Sequence, residues 1–195
     1  VGVRVLLTRE TDISLGSTLA EDINNRVALI NSEMPDISVS IHANSGTVDP
    51  LACGDGVEAF YSSIIWGGAI NPNLNESHLL AQKLAEAINK TFGLRLRTPD
   101  GTKDALNSLG LVSGPLVPAA LIEMAFISNP TERDLMISRQ EGFAQAIADG
   151  ILSYLNLPSS EAVDIALIID SSGSMSWNDP TNLRKEAAKV FVDTM

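Results

Sequence analysis

The chain reads as an α/β protein, and three observations carry that reading. Apolar alternation of period two appears at Val3-Val5-Leu7 and Ile37-Val39-Ile41. Helical stripes of period 3.6 fall between such segments, as at Ile23-Val27-Ile30. The nearly continuous apolar run from Val163 to Ile169 is of the kind buried on both faces of a parallel sheet. Strand and helix alternate from end to end, the pattern of the α/β class.

Composition excludes several functions. The 195 residues carry 13 Lys+Arg against 24 Asp+Glu, a formal charge of −11, with 45% hydrophobic residues. That balance repels a phosphate backbone and gives no polybasic patch for anionic lipid, so nucleic acid is excluded as a partner. No apolar run reaches the roughly 18 residues of a membrane span, so no membrane insertion is expected in this segment. At this length one full domain fits, and a second would have to be small or partial. Opening inside a strand and closing inside a helical pattern, the chain reads as a fragment.

The elements follow in order. A polar stretch with Thr11, Asp12, Ser14 and Gly16 succeeds the first strand, and a helix runs from about Thr18 until Pro35 stops it. The strand Ile37-Val39-Ile41 ends in His42-Ala43-Asn44. Cys53, in the run Ala52-Cys53-Gly54-Asp55-Gly56, reads as a small loop residue; a single cysteine forms no internal disulfide. Val57 to Tyr61 is a strand, and Ser77 opens a helix with Leu80, Leu84 and Ile88 on one stripe. Ala119 to Phe126 is an apolar run broken by one charge, Glu123. Asn129-Pro130-Thr131-Glu132 and Ser138-Arg139-Gln140-Glu141 read as capping boxes, the second before a helix burying Phe143, Ile147, Ile151 and Leu155. Residues 156–162 read as a linker around Pro158, closing a first domain at 155. The pattern restarts with the Val163–Ile169 strand, and Asp179-Pro180 opens an amphipathic helix through Leu183, Ala187, Val190 and Phe191.

Two residues stand out chemically. His42 sits at a strand end among small and polar residues, where an imidazole can serve as metal ligand or general base, or simply be satisfied locally. Glu123 lies in Ala-Ala-Leu-Ile-Glu-Met-Ala-Phe-Ile, where a carboxylate must be paired, protonated or close to a cation. Burial moves such a group toward the range useful for proton transfer. Pairing with a Lys or Arg is the alternative.

At this point the sequence resembles a known family. Leu7-Thr8-Arg9 with Asp12, then Arg26, Asn31, Asp36 and Ser40-Ile41-His42-Ala43-Asn44, are similar to the zinc-dependent N-acetylmuramoyl-L-alanine amidases. So are Gly56 to Tyr61, Ser77 with Leu80-Ala81, and Pro118 through Glu123 to Asn129. The matches are ordered and spaced from residue 3 to about residue 155. The resemblance implies a mixed sheet flanked by helices and hydrolysis of the amide between N-acetylmuramic acid and L-alanine in peptidoglycan. It further implies that His42 is a zinc ligand and Glu123 the catalytic carboxylate. Zinc with an open position acidifies bound water, and a neighbouring Glu carries the proton to the leaving amine. Glu58, on the strand face opposite Val57 and Ala59, is read as a salt-bridge residue, with a role behind a zinc ligand as the alternative.

The chain departs from the family pattern in two places. Relatives take another His and a Glu as zinc ligands from a segment before the Leu-Thr-Arg strand. His78 matches no ligand position and reads as a solvated residue at a helix start. These 195 residues by themselves are therefore expected to carry little zinc and to leave peptidoglycan uncut. In Arg97-Thr98-Pro99-Asp100-Gly101-Thr102-Lys103, Asp100 stands where relatives often have Arg.

A second constellation, Asp170-Ser171-Ser172-Gly173-Ser174-Met175, follows the last apolar strand at the end where ligands collect in parallel sheets. It resembles the start of a von Willebrand factor A domain. The resemblance implies that Asp170, Ser172 and Ser174 are oxygen ligands for Mg²⁺ or a similar cation, and that residues 163–195 begin a second α/β domain with a protein ligand of its own. The expected function is a zinc-dependent cell-wall hydrolase, extracellular, periplasmic or cell-wall associated. The alternative is a non-catalytic glycopeptide-binding or adhesion protein.

Overall fold

The computed structural model describes residues 3–9, 13–47, 54–156 and 163–169. Six strands form one sheet: β1 (Val3–Leu7), β2 (Ile37–Asn44), β3 (Glu58–Tyr61), β4 (Thr102–Asp104), β5 (Ala119–Phe126) and β6 (Val163–Ile169), in spatial order β1-β6-β2-β5-β3-β4. β1, β6, β2 and β5 run parallel; β3 pairs antiparallel to β5, and β4 follows β3. The expected mixed sheet flanked by helices is therefore present.

Strand alternation divides the sheet into two faces. Val39 and Ile41 pair with Ala120 and Ile122, and all four point to the side covered by α2 (Leu74–Phe92) and α5 (Gln140–Leu155). Leu80, Leu84, Ile88, Ile147 and Ile151 are buried there, each contributing roughly 1.5–3 kcal/mol of hydrophobic stabilisation. Gly150 lets the two helices close, since a Cβ on it would stand 3.0 Å from the Lys83 carbonyl. The opposite face carries α1 (Leu19–Glu33) and the short α3 (Gly110–Ser113), with Ile30 against Ala166, Ile168 and Val117.

Local signals explain most boundaries. Thr18 caps α1 by accepting from the Glu21 N–H, and Met34 closes it at φ 44 just before Pro35. Asn129 caps α4 (Pro130–Ser138) through the N–H groups of Thr131 and Glu132, as the sequence predicts. Glu132 does more than a cap requires. Its buried carboxylate accepts from Gly56 N at 2.7 Å and from Phe126 N at 2.7 Å, tying the approach to β3 to the end of β5. Gly56 is obligatory at this junction, with φ +90 and only 2.3 Å between an added Cβ and the Arg95 carbonyl oxygen.

Two expectations are corrected. Ser77 does not open α2; it lies one turn inside, and its hydroxyl accepts from Ala119 N at 3.1 Å. Ser138 does not cap α5: it ends α4 and donates its hydroxyl to Asp134 O, while Arg139 opens α5 without a side-chain cap. β4 and α3 lie in a stretch whose periodicity is too short to read. Val163–Ile169, expected to begin a second domain, is a strand as read and lies between β1 and β2 in this sheet, with Ile165 to Ile168 buried on both faces. The rest of that expected domain lies outside the described residues.

Replacing Glu132 by Ala strands two buried N–H groups at about 1–3 kcal/mol each. Denaturant titration of Glu132→Ala is expected to show a loss of roughly 2–5 kcal/mol, with Glu132→Gln losing less; an unchanged midpoint contradicts this account.

Candidate functional site

The two residues marked by the sequence come together through strand register. β2 and β5 pair His42 with Glu123, and β5 and β3 pair Glu123 with Glu58. In-register partners face the same way, so these three side chains form a row across adjacent strands about 4.8 Å apart. The row lies at the carboxyl ends of β2 and β5 and the amino end of β3, on the face away from α2 and α5. Alternation places His42 there: Ser38, Ser40 and His42 share one side, and Ile37, Val39 and Ile41 the other. The Ser40 hydroxyl lies 2.8 Å from His42 Nε2 and can give or accept the hydrogen bond, according to the ring tautomer.

His42 opens into a cavity of about 680 Å³ whose walls include Leu121, Arg9, Asp22, Arg26, Ser108 and Gly110. A buried charge cluster forms one wall. Asp22 Oδ2 is 2.8 Å from Arg26 Nε, one helical turn along α1, and Asp22 Oδ1 is 3.5 Å from Arg9 Nη1. Ser14 Oγ donates to the same carboxylate at 3.1 Å, and Leu15 N at 2.7 Å. Burial by itself would raise the Asp22 carboxyl. The Leu15 N–H, the Arg26 charge and hydrogen bond, and the Ser14 hydroxyl outweigh it and hold the group below its ordinary range. Arg9 and Arg26 figured in the sequence resemblance, whereas Asp22 was missed. Its signal was available, because Asp22 and Arg26 lie at i and i+4 on the stripe that carries Ile23, Val27 and Ile30.

Glu58 is held on both sides. Arg97 Nε is 3.2 Å from Glu58 Oε1, and Asn44 Nδ2 donates to the same oxygen at 2.8 Å. The salt-bridge reading is thus met. Through Asn44 the carboxylate also fixes the end of β2, two residues beyond His42. Arg97 lies over the Phe126 ring at 4.7 Å, so one guanidinium joins the loop before β4 to the ends of β3 and β5. Asn31 secures the loop ahead of β5, donating to Gly114 O at 3.1 Å and accepting from Leu116 N at 2.8 Å.

His78 is not the freely solvated residue expected. It stacks on Tyr61 with 4.5 Å between ring centroids, and its Nε2 lies 3.1 Å from Asp100 Oδ2 and 3.0 Å from Thr102 Oγ1. Asp100 thereby organises the turn into β4, also accepting from Thr102 N at 3.0 Å. Neither residue lines the cavity.

Among the described residues, no three His, Cys, Asp or Glu side chains come together as a metal-binding group. His42 supplies one imidazole, and Glu58 is engaged by Arg97 and Asn44. The described residues therefore do not by themselves fit a zinc ion, and no chemical step is derived through one. Cys53, Asp170, Ser172 and Ser174 lie outside the described residues. Among the described residues no helix is long and apolar enough to cross a membrane.

Comparison with known proteins gives the family. The N-acetylmuramoyl-L-alanine amidase family matches residues 1–153. The germination-specific N-acetylmuramoyl-L-alanine amidase of Bacillus subtilis is 29% identical over 163 residues, covering 78% of this chain and 62% of that protein. The amidase AmiC of Neisseria meningitidis is 26% identical over 187 residues, covering 80% of this chain and 43% of its own length. The chain thus spans less than two thirds of these curated relatives. Among solved structures, the CwlD amidase from Clostridioides difficile in complex with the GerS lipoprotein superposes with a TM-score of 0.63 at 25% identity, over 78% of this chain and 76% of its own. The catalytic domain of CwlV from Bacillus (Paenibacillus) polymyxa gives 0.59 at 26% identity, covering 80% and 74%.

The charge cluster makes a pH-dependent contribution to stability. The folded-state pKa of Asp22 is depressed, so its contribution is complete above the ordinary carboxylate value of about 4 and is lost as pH falls through the lower folded value. Asp22→Asn leaves buried guanidinium charge uncompensated and is expected to cost about 3–5 kcal/mol at neutral pH. It should also flatten the acid limb of the stability profile. Denaturant midpoints from pH 7 to pH 3 check both, and wild-type midpoints throughout would refute the assignment.

Proposed function

Since the chain belongs to the N-acetylmuramoyl-L-alanine amidase family, we propose that it is the amide-hydrolysing part of a peptidoglycan hydrolase and that the row His42–Glu123–Glu58 marks its reaction centre. The observation that carries this reading is the register pairing of Glu123 with His42, which itself lines the cavity. In this proposal Glu123 moves the proton. It accepts from the attacking water and returns the proton to the departing L-alanine nitrogen, so that the C–N bond breaks with a neutral amine leaving. His42 would be one ligand of a zinc ion, the remaining ligands lying outside the described residues. Glu58, through Asn44 and Arg97, positions the strand ends and does not touch substrate. Work on peptidoglycan places the protein outside the cytoplasmic membrane or at the cell wall.

A reaction at the lactyl–alanine amide frees an amino group and makes no new reducing sugar end. Digestion of purified peptidoglycan by the intact protein is therefore expected to release L-alanine amines alone. New reducing ends would overturn the reading, and binding without release would favour the glycopeptide-binding alternative.

Two substitutions separate the roles. Glu123→Gln in the intact protein is expected to lower turnover roughly 10²–10⁴-fold while zinc content stays unchanged. Retained activity would make Glu123 structural. His42→Ala is expected to lose both activity and zinc, measured by elemental analysis, and full zinc retention would contradict the ligand role.

A further inference from the structure

Two loops beside the cavity carry no charge. The connection from β3 to α2 runs through residues 62–73, longer than the roughly 4–6 residues usual for such links. Residues 105–118 lead from β4 to β5 and contain α3. Neither segment has a Lys, Arg, Asp or Glu, in a chain with 13 Lys+Arg and 24 Asp+Glu. The charge at their foot, Asp104, accepts from Ser63 N at 3.0 Å and from Leu106 N at 2.8 Å.

The first loop is a closed hairpin. Ile64 and Ile70 form an antiparallel bridge, and Ile65 N donates to Ala69 O at 2.9 Å. Gly68 N completes the turn on Ile65 O at 3.0 Å, with Gly67 at φ +91, where a side chain would be strained. Buried Asn71 holds the base, donating from Nδ2 to Ser62 O at 2.8 Å and from N to Ser63 O at 2.9 Å. Trp66 N donates to Ser113 O at 2.9 Å, which fastens the tip to the end of α3. Asn73 Nδ2 adds a second tie to the 105–118 loop, at Leu116 O, 2.9 Å away.

This framework presents an indole. The Trp66 ring rests against Gly110, where an added Cβ would lie 3.2 Å from Trp66 Cζ2 and 2.7 Å from Ile23 Cγ2. Gly110 and Ile23 both line the cavity, so the ring stands at its rim. Trp66 is 40% exposed, and Ile70 on the same hairpin is 79% exposed. Single exposed apolar residues are ordinary on a surface. An anchored hairpin whose tip glycines, Gly67 and Gly68, touch nothing is different, because it holds the largest of side chains at one place while leaving much of it in water.

We propose that Trp66 is a sugar-stacking platform for the glycan strand of peptidoglycan. The chemistry of the two surfaces selects this occupant. In β-1,4-linked N-acetylated sugars the ring substituents are equatorial, so the axial C–H groups give each pyranose an apolar face that matches an indole. The stem peptide carries free carboxylates, which two loops without a cation, with Asp104 at their foot, do not attract. A cavity of about 680 Å³ holds only part of such a polymer, so a strand engaged beside His42 continues across the rim. Contact at the rim is the same in the ground state and the transition state and therefore acts on KM. The proposal rests on the peptidoglycan reading for the identity of the sugar, and its test separates the two.

Tryptophan emission of the intact protein, compared with that of its Trp66→Phe variant, isolates this ring. Titration with a neutral β-1,4-linked N-acetylglucosamine tetramer is expected to move Trp66 emission saturably to the blue, as stacking removes the indole from water. An L-Ala-D-Glu dipeptide should leave it unchanged. On whole peptidoglycan, Trp66→Ala is expected to raise KM about tenfold and Trp66→Tyr by less. Wild-type emission that ignores the tetramer overturns the proposal, even where Trp66→Ala fails to fold. A response to the dipeptide alone would assign the ring to the stem peptide, and a blue shift that follows protein concentration without sugar would assign it to a second copy; either overturns it. A saturable response to the tetramer without amide cleavage supports the platform while the amidase reading falls. Cleavage with wild-type KM in Trp66→Ala keeps the amidase reading and overturns the platform.

Discussion

The register between β2 and β5 governs both the core and the cleft, because alternation forces the two sets of side chains apart. Pairing Val39 with Ala120 and Ile41 with Ile122 sends four apolar residues toward α2 and α5. The same pairing leaves Ser40, His42, Leu121 and Glu123 on the other face, two of them ionisable. A one-residue slip would bury His42 among Leu80, Leu84 and Ile147 and expose the residues that now make the core. The free energy of the apolar face thus fixes the geometry of the polar one. No separate device is needed to bring an imidazole and a carboxylate onto adjacent strands.

Charge buried near this row is compensated group by group. Asp22 sits between two guanidiniums and takes two further donors from the turn before α1. Glu132 satisfies two backbone N–H groups, and Glu58 is shared by Arg97 and Asn44. Such arrangements are weak sources of net stability compared with well-packed apolar residues, but breaking one partner is costly. Their contribution is positional. Asp22 anchors α1 to the residue that leaves β1, Glu132 joins β5 to the loop before β3, and Glu58 holds β2 at its last residue.

What the sequence made legible follows from the range of the interactions concerned. β2, β5, α1 and the cap at Asn129 rest on local alternation, stripe and hydrogen-bond chemistry, all visible within a dozen residues. His42 and Glu123 were singled out because each breaks a local rule, one as a polar strand end and the other as a charge in an apolar run. Ser77, Glu132 and His78 were misread or read incompletely because their partners Ala119, Gly56 and Asp100 lie 22 to 76 residues away. The strand Val163–Ile169 was recognised as a strand, and its kind was right. Its pairing with β1 and β2 is not visible locally, because an apolar parallel strand carries no signal of which strands it lies beside.

The antiparallel placement of β3 gives the site its third member. Had β3 run parallel to β5, the end reached by His42 and Glu123 would face the end of β3, where Tyr61 leads into the loop tied by Asp104 to Ser63 and Leu106. Reversal brings the start of β3 there instead, and with it Glu58 and the glycine turn that Glu132 secures. Two strand ends and one strand start therefore meet at the row, and the Arg97 loop closes over them from the β4 side. A carboxylate opposite another carboxylate is unfavourable in an antiparallel pair. Here the second one, Glu58, is engaged by Arg97 and Asn44, an arrangement suited to holding the strand ends in place while Glu123 remains in register with His42.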